Sequence, residues 1–414
     1  MAMKRWIEAD EVAGVLEPGM TVFVAGATAE PGEILESLQR QPDSCAGVHF
    51  VSVSIPGING VDFSALHPEA KSTAFFATPE NRASIEAGRT DFVPMQYSAI
   101  FDYLKNELKV DVVLAQLPAA RGDDVSLGVS VDFLPAVLDK AGQVIVEVNQ
   151  RQPVPSDSMN WPEERVDLAV SCDRPVASFA VREPDEKSVA VGRHVAELIS
   201  DGDCLQIGIG SIPGAVLDAI ADKNDLGVHS GLITDGVMEL VDAGNIKGKI
   251  VTGTTLGSEV LIEWAGNASD LMIRPVGYTH DPGVIRQIDN FVSINSAVEI
   301  DLFGQVGADM LDGRQWTGPG GAVDMMRGAA LSKGGRSIVA LKSTAEKGKR
   351  SRIVTALERG TAATALRTDI DYVVTEYGAR RVRHLSAAAR AAALIEIAAP
   401  EFRDQLRDEW RALS

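Results

Sequence analysis

The sequence predicts an α/β protein of two similar domains, each a mainly parallel sheet covered by helices. Short apolar runs typical of strands alternate along the chain with segments of helical periodicity. Between residues 151 and 190 this alternation stops in a segment rich in proline and charged residues, and then it begins again. We therefore place the two domains at residues 1–185 and 186–414.

In the N-terminal half the β-then-α alternation is regular. A first predicted helix covers 30–40, with Pro31 near its first turn, where proline is tolerated. A second covers 130–141. Parallel strands need such crossover helices. The predicted strands of this half are 21–27, 47–55, 111–118 and 143–149.

The C-terminal half repeats the same design. Its predicted helices cover 188–199 and 212–221, and an alanine-rich helical segment covers 386–410. Its predicted strands are 204–210, 249–254, 271–276, 291–304, 337–341 and 371–378.

Composition excludes several classes of protein. The formal net charge of −19 and the isoelectric point near 4.8 argue against a nucleic-acid partner, which requires a basic surface. No apolar run reaches the length of a membrane span and the N-terminus has no cleavage signal, so we expect a cytoplasmic protein. Three widely separated cysteines form no disulfide or zinc pattern, and no histidine spacing predicts a metal site.

The segment 291–302 places two carboxylates on one side of a predicted strand. Apolar residues alternate with polar or small ones, so Asn295, Glu299 and Asp301 share a face. That face is either the solvated side of an ordinary strand or the polar wall of a site. Ala297 and Gly304 would leave room for a ligand to approach it.

Two glycine-rich loops each lie before a predicted helix. GIGSIPG (208–214) follows a strand, but Pro213 stands where a dinucleotide fingerprint requires a small residue. This loop is either a ligand cradle that includes Gly208 and Gly210 or a tight strand–helix turn. WTGPGGAVDMMRGA (316–329) carries Gly318, Gly320 and Gly321, whose amides favour an oxyanion hole or an anion site.

A serine hydrolase is an alternative on Ser230, His229 and Asp235. These residues are crowded into one short segment, and the chain has no nucleophile elbow of the GxSxG type. The sequence therefore disfavours this triad.

Taken together, the segments resemble the acetyl-CoA hydrolase/transferase group of the family I CoA-transferases, which includes 4-hydroxybutyrate, butyryl-CoA:acetate and succinyl-CoA:acetate CoA-transferases. The resemblance extends over nearly the whole chain and implies a CoA-transferase type of fold. It is carried by residues 25–38, 77–94, 126–150, 205–220, 227–246, 293–306, 318–329, 351–357 and 371–378.

The resemblance implies an enzyme that moves CoA from an acyl-CoA to a free carboxylate through a glutamyl-CoA thioester. Coenzyme A would be substrate and covalent intermediate, with no permanently bound cofactor and no metal. In the 4-hydroxybutyrate branch the glutamate follows a His-Ser pair, and here that position is Gly231. Glu299 matches the glutamate of the succinyl-CoA:acetate branch, so the resemblance makes Glu299 the nucleophile.

The resemblance also assigns the surroundings of Glu299. The oxyanion or CoA-binding loops would be Gly208, Gly210 and the stretch 318–321, and Gly231, His229 and Asn295 would line the pocket. The implied partners are acyl-CoA and small carboxylates, with no nucleic acid and no membrane. A homodimer or a higher even oligomer is implied. An acyl-CoA hydrolase and a non-catalytic CoA-binding protein remain alternatives on the same fold.

Overall fold

A computed structural model describes residues 5–120, 124–179 and 183–413 of the chain. It divides them into two compact units. Unit 1 contains the residues up to 179 together with 231–235 and 250–279, and unit 2 contains the rest. The prediction of two domains with one boundary, between residues 185 and 186, stays a prediction. The division into units has more than one boundary, because 231–235 and 250–279 pack with unit 1.

The described strands are short, as is usual for an α/β protein. They are β1 Trp6–Ile7, β2 Thr21–Val24, β3 His49–Ser52, β4 Lys71–Ala74, β5 Thr90–Phe92, β6 Val112–Pro118, β7 Asp124–Ser126, β8 Gln143–Asn149, β9 Asn160–Pro162, β10 Leu168–Cys172, β11 Cys204–Ile207, β12 Leu226–His229, β13 Leu232–Ile233, β14 Ile246–Thr252, β15 Thr254–Thr255, β16 Leu271–Ile273, β17 Phe291–Ser296, β18 Glu299–Asp301, β19 Val306–Gly307, β20 Met310–Leu311, β21 Arg314–Gln315, β22 Arg336–Ala340, β23 Thr344–Ala345, β24 Arg350–Ser351, β25 Ile353–Val354, β26 Tyr372–Thr375 and β27 Gly378–Arg381.

The described α-helices connect these strands. They are α1 Gly32–Arg40, α2 Arg82–Glu86, α3 Tyr97–Asn106, α4 Leu134–Val137, α5 Glu186–Ala196, α6 Ser211–Ala219, α7 Asp235–Asp242, α8 Glu259–Asn267, α9 Val276–Thr279, α10 Pro282–Ile285, α11 Ala322–Leu331, α12 Ala387–Glu396 and α13 Arg403–Leu413. None of the described helices is both long enough and apolar enough to cross a membrane.

The main sheet of unit 1 has the order β1-β10-β8-β6-β2-β3-β4-β5. Its neighbouring strands pair in parallel throughout. Helix α1 is the first α-helix after β2, and the buried carboxylate of Glu147 on β8 accepts hydrogen bonds from the backbone N–H groups of Glu33 and Ile34 in its first turn. The carboxylate of Glu147 interacts favourably with the positive N-terminal end of the helix dipole.

The main sheet of unit 2 contains the order β12-β11-β17-β22-β26-β27. Its strands are parallel, except that β27 returns antiparallel to β26. The central strand β17 is buried on both faces, because Val292, Ser293 and Ile294 are all at most 1% exposed. Strands covered on both faces by helices are expected in a parallel sheet.

The α/β fold class with large parallel sheets flanked by helices is confirmed, but two predicted elements differ in extent. The predicted helix at 130–141 is reduced to α4, which begins after Asp132, a residue with a positive φ of 38°. The predicted strand at 291–304 is wrong as a single element. It divides into β17 and β18, which belong to different sheets.

The division has a clear cause in the backbone pairing. The N–H group of Ala297 still bonds to Ala340 on β22, whereas the next N–H group, that of Val298, bonds to Gly307 beside β18. The chain therefore leaves the main sheet between these two residues. The period-two pattern that placed Asn295, Glu299 and Asp301 on one face does not continue across this bend, and both carboxylates are buried.

The packing of unit 2 predicts how much stability is lost when a buried side chain of its C-terminal helices is shortened. Leu394 on α12 is 0% exposed and belongs to an apolar cluster with Ile300 and Val373. Leu394→Ala should lower the free energy of unfolding by about 2–5 kcal/mol, because it removes buried methyl groups and leaves a cavity. Chemical denaturation measures this change. Leu413→Ala, at a position 59% exposed, is the matched control and should stay within about 0.5 kcal/mol. Equal effects of the two would contradict the packing.

Candidate active site

The candidate site lies where the order of the unit 2 sheet changes direction. From β11 the chain adds β12 on one side and later β17, β22 and β26 on the other. In open α/β sheets, ligands bind at the carboxyl ends of the two strands that flank such a switch point. Here these are β11 and β17, and Ile207 pairs with Ile294 near their ends. The residues that follow Ile207 and Ile294 are therefore the candidates for a ligand site.

Polar side chains join the two strands at this edge. Asn295 donates through Nδ2 to Oε1 of Gln206 at 3.0 Å, and Gln206 donates back through Nε2 to Oδ1 of Asn295 at 3.4 Å. Asn295 is therefore held by its neighbour in the sheet. Its assignment to a pocket wall stays a prediction.

Glu299 is the first residue of β18, directly after the bend. It lies opposite Gly307 on the antiparallel neighbour β19. A Cβ atom at Gly307 would lie only 3.3 Å from Cγ of Glu299, so the glycine leaves space for the glutamate side chain. On the other side of β18, Ile300 pairs with Ile353 on β25. The carboxylate is thus fixed on a short strand with a partner on each side.

The carboxylate of Glu299 is buried beside a cation. The residue is 5% exposed, and burial raises the pKa of Glu299 above its usual range. Arg350 acts in the opposite direction, with its Nη2 atom 3.8 Å from Oε2 of Glu299. Glu358 and Asp312 reinforce the upward shift. Glu299 is therefore partly desolvated and partly compensated, which is the environment of a carboxylate with a chemical role.

Asp301 lies two residues further along β18 and is fully buried. Its Oδ1 accepts the backbone N–H of Gln305 at 2.8 Å, and its Oδ2 accepts the side-chain amide of Gln305 at 2.8 Å and the backbone N–H of Leu357 at 3.4 Å. These bonds close the turn between β18 and β19. Asp301 therefore has a structural role in holding the strand that carries Glu299.

The first glycine loop occupies the predicted position between β11 and α6. Gly210 has a φ of 121°, which favours glycine, and it precedes the first residue of α6. A Cβ atom at Gly208 would meet no described atom within 4 Å, so internal packing does not require glycine there. The open backbone at Gly208 and the helix N-terminus behind it are compatible with close approach of an anionic ligand.

The second glycine loop leads into α11. Gly320 has a φ of 62°, and Gly321 is the residue before the helix. A Cβ atom at Gly321 would overlap the ring of His280. Val323, in the first turn of α11, packs in the same apolar cluster as Ala297 and Ile300. The end of this loop is therefore fixed to the strand segment that carries Glu299. Gly318 lies buried three residues before it.

His280 and His229 are two buried histidines of unit 2. Burial lowers the pKa of His280 to about 3, and His229 adds to this effect, so His280 is neutral at physiological pH. His229 ends β12, and its ring packs edge-on against Phe291 at 6.1 Å between ring centroids. The two buried rings therefore lie close enough to influence one another, and the assignment of His229 to the pocket lining stays a prediction.

The serine hydrolase alternative finds no support in the geometry. The hydroxyl of Ser230 donates to the carbonyl of Ile207 at 3.0 Å, and the carboxylate of Asp235 accepts the backbone N–H of Ser258 at 3.1 Å. Gly231, the residue between them in the chain, belongs to unit 1, where its carbonyl accepts N–H groups from Gly253 and Thr254. Ser230, Asp235 and Gly231 each make hydrogen bonds within the fold.

The three cysteines are free thiols. Burial raises the pKa of Cys45, and it raises the pKa of both Cys172 and Cys204 to about 12. A thiol with a raised pKa carries little thiolate and is a poor nucleophile. Thiols of this kind are inert, so Glu299 is the stronger nucleophile candidate.

Sequence reasoning missed the residues that surround Glu299 from other parts of the chain. Arg350, Asp312 and Glu358 reach it through tertiary contacts, and no local motif marks them. Gly307 is visible in the sequence, but its role depends on the register of β19 against β18. No sequence pattern marks His280, because its contact with Gly321 follows from folding.

The comparisons with known proteins identify the family of the chain. The model of the acetyl-CoA hydrolase/transferase N-terminal domain matches residues 3–160, and that of the C-terminal domain matches residues 257–410. The 4-hydroxybutyrate coenzyme A transferase of Clostridium kluyveri is 36% identical over 99% of this chain and 97% of its own length. The butyryl-CoA:acetate CoA-transferase of Anaerostipes caccae is 37% identical over 78% of this chain and 77% of its own.

A solved structure shares the fold. The crystal structure of RipA from Yersinia pestis superposes with a TM-score of 0.93 at 30% identity, over 99% of this chain and 97% of that one. The chain therefore belongs to the acetyl-CoA hydrolase/transferase family. The prediction of an enzyme that transfers CoA is confirmed by relatives of that name over most of the chain.

The contact between Gly321 and His280 gives a testable coupling. Gly321→Ala should lower both stability, by about 1–3 kcal/mol, and CoA-transfer activity, because the added methyl group must displace the His280 ring or the loop. His280→Ala removes the obstacle, so the double variant should lose less than the sum of the two single variants. Denaturant unfolding and turnover of all four proteins measure the coupling. Strictly additive losses of stability and activity would show that the side chains at these two positions do not contact one another.

Proposed function

We propose that this protein is an acyl-CoA:carboxylate CoA-transferase that works by a ping-pong mechanism through a glutamyl-CoA thioester on Glu299. Its substrates are small carboxylic acids and their CoA thioesters. The observation that carries the proposal is a buried carboxylate, 5% exposed, on the short strand β18 that follows β17, one of the two strands at the switch point of the unit 2 sheet. A carboxylate in this setting is suited to act as a nucleophile.

In the first half-reaction Glu299 attacks the carbonyl carbon of the acyl-CoA. A bond forms between the glutamate oxygen and that carbon, the C–S bond breaks, and CoA leaves as a thiolate. The product is a mixed anhydride of Glu299 and the acyl group. The thiolate then attacks the glutamyl carbonyl carbon and the acyl carboxylate departs. Glu299 is left as a neutral thioester of CoA, and the steps run in reverse with the second acid.

The surroundings of Glu299 support this chemistry in two ways. Partial desolvation raises the pKa of Glu299 and makes the ionised form a stronger base, while Arg350 limits the rise so that the carboxylate still ionises. The short strand β18, held by Asp301 and opposed by Gly307, limits the motion of the glutamate. A nucleophile held on a rigid element loses less entropy when it reacts.

Backbone amides are the proposed stabilisers of the developing oxyanion. The candidates are the loop of Gly208 and Gly210 and the loop of Gly318, Gly320 and Gly321. Each loop opens a helix, whose N-terminal N–H groups and dipole favour negative charge. The same groups would suit the phosphates of CoA. These residues, together with Gly231, His229 and Asn295 as pocket lining, stay proposals.

A hydrolase is the second candidate, because the family model that the chain matches covers hydrolases as well as transferases. In that case water replaces the second acid at the glutamyl thioester. Formation of a new acyl-CoA from an added carboxylate supports transfer, and release of free CoA that is independent of the carboxylate supports hydrolysis. The cytoplasmic location and the homodimer or higher even oligomer stay predictions.

The glutamyl-CoA intermediate predicts a covalent adduct that mass spectrometry of the intact protein can detect. After incubation with acyl-CoA and no acceptor, the wild-type protein should gain the mass of one bound CoA, and a small carboxylate should remove it. Glu299→Ala should form no adduct, because the nucleophile is absent. Glu396→Ala, which changes an exposed ion pair with Arg380, is the control and should behave as wild type. An adduct that persists in Glu299→Ala would place the nucleophile elsewhere.

The electrostatics of Glu299 predict the pH dependence of turnover. The nucleophile must be ionised to react. Because the pKa of Glu299 is raised, kcat/KM should fall at a higher pH, on the acid side of its profile, than it would for an ordinary carboxyl group. Glu358→Gln removes a neighbouring negative charge that raises the pKa of Glu299, and it should move the limb to lower pH. The comparison is the pH profile of wild type, this variant and Glu396→Gln. An upward shift for Glu358→Gln would contradict the assignment.

A further inference from the structure

The sheet of unit 1 has its own switch point, between β2 and β6. From β2 the chain adds β3, β4 and β5 on one side and later β6, β8 and β10 on the other. In open α/β sheets, ligands bind at the carboxyl ends of the strands that flank such a point. Ala25 and Gly26, which follow β2, line a small cavity together with Ser130 and Asp132. Every residue that lines this cavity belongs to unit 1.

The cavity is mostly apolar and very small. Phe23, Val53 and Leu134 form part of its walls, and its free volume is about 10 Å³, which is room for one water-sized group. Ligand sites commonly combine apolar walls with a few polar groups that converge on one point. The cavity is therefore suited to recognise one polar atom of a small molecule.

Ser130 supplies the first polar group. The residue is 1% exposed, and its buried Oγ atom makes no hydrogen bond with any described residue. A buried hydroxyl without a partner costs about 1–3 kcal/mol, so native proteins rarely retain one without a reason. An oxygen atom that enters the cavity would give Ser130 the missing partner.

Asp132 supplies the second polar group. Its side chain accepts no hydrogen bond from the described residues, whereas its backbone is held firmly. The N–H group of Asp132 donates to the carbonyl of Gly253 at 3.4 Å, and its carbonyl accepts the N–H group of Val276 at 2.9 Å. The backbone has a positive φ of 38°, which is unusual for a residue with a side chain. Strain of this kind is concentrated at functional sites.

The carboxyl group of Asp132 is partly protonated near neutral pH. Burial raises the pKa of Asp132 to about 7, and no neighbouring charge opposes this effect among the described residues. Burial and the charge of Asp132 raise the pKa of Tyr97 on α3, so this phenol stays neutral. Arg274, two residues before Val276, is paired with Asp157 at 2.6 Å. A protonated carboxyl group can donate a hydrogen bond.

We propose that this cavity binds one carboxylate oxygen of the free acid substrate, and that Ser130 and Asp132 hold it as hydrogen-bond donors. Asp132 does so while it carries its proton, because the ionised form would repel a second carboxylate. Ser130 and Asp132 are thus positioning residues for the acid. The inference rests on the proposed use of free carboxylic acids as substrates, and it does not depend on which residue is the nucleophile.

The experiment measures how tightly the free enzyme binds butyrate at two pH values. The acid carries a heavy carbon isotope in its carboxyl group, and its binding is followed by NMR titration without CoA. Wild type should bind butyrate about 10-fold more weakly near pH 8 than near pH 6, because a group with a pKa of about 7 loses most of its protons over this interval. Butyrate itself stays ionised over the whole interval.

Two variants assign the effect to the cavity. Asp132→Asn keeps a donor at every pH and tolerates a positive φ, so its affinity for butyrate should not depend on pH. Ser130→Ala should weaken binding about 10-fold or more at both pH values, as expected for a lost hydrogen bond to a charged group, and should keep the pH dependence. Asp43→Asn, at an exposed position, is the matched control and should behave as wild type.

Glu30 requires a separate control. It follows Ala29, another residue of the cavity wall, and burial raises the pKa of Glu30 to about 7 as well. Glu30→Gln should leave the pH dependence of butyrate binding in place. Loss of that dependence in Glu30→Gln would assign it to Glu30 and overturn the inference.

Other results would also overturn the inference. A pH dependence that persists in Asp132→Asn would show that Asp132 does not hold the acid. A wild type that binds no butyrate, or unchanged affinity in Ser130→Ala, would leave the cavity to a water molecule. If Asp132→Asn does not fold, the wild-type pH profile and Ser130→Ala still decide. Failure of the proposed function differs, because butyrate would then bind as described while no new acyl-CoA forms from it.

Discussion

The parallel pairing of β11 with β17 is the constraint on which the site depends. It aligns Ile207 with Ile294 and so brings the ends of two central strands to one edge of the sheet. From one end the chain continues as the glycine loop before α6, and from the other it bends after Ala297 into the short strand that begins with Glu299. Because β17 is buried on both faces, it is well supported by packing, and such support suits the nucleophile that we propose for Glu299.

The electrostatics of Glu299 result from two opposing effects, of which burial is the larger. Burial alone would favour the neutral acid, and the nearby carboxylates of Glu358 and Asp312 act in the same direction. Arg350 opposes both, but at 3.8 Å and without a hydrogen bond it compensates only in part. A full, hydrogen-bonded ion pair would hold the carboxylate ionised and also occupy its lone pairs. The looser contact leaves an ionisable carboxylate.

The sequence was sufficient for the fold class and for the glycine loops, because periodicity and glycine spacing are local properties. The other features of the site depend on contacts between distant parts of the chain. The bend between β17 and β18 arises because the N–H of Val298 bonds to Gly307 instead of to β22, and no pattern in 291–304 records that change. Arg350 reaches Glu299 from a distant hairpin, and His280 requires Gly321 to be glycine, so both follow from the folded chain. The role of Glu299 itself came from the family resemblance.

The most direct test of the central claim is to follow oxygen from the acceptor acid into the protein. The enzyme turns over with acyl-CoA and a carboxylate labelled with a heavy oxygen isotope, and its peptides are then analysed by mass spectrometry. If Glu299 is the nucleophile, the bridging oxygen of the anhydride stays on its side chain, and the peptide that contains Glu299 gains the label. Label in another peptide, or turnover with none in the protein, would contradict the account.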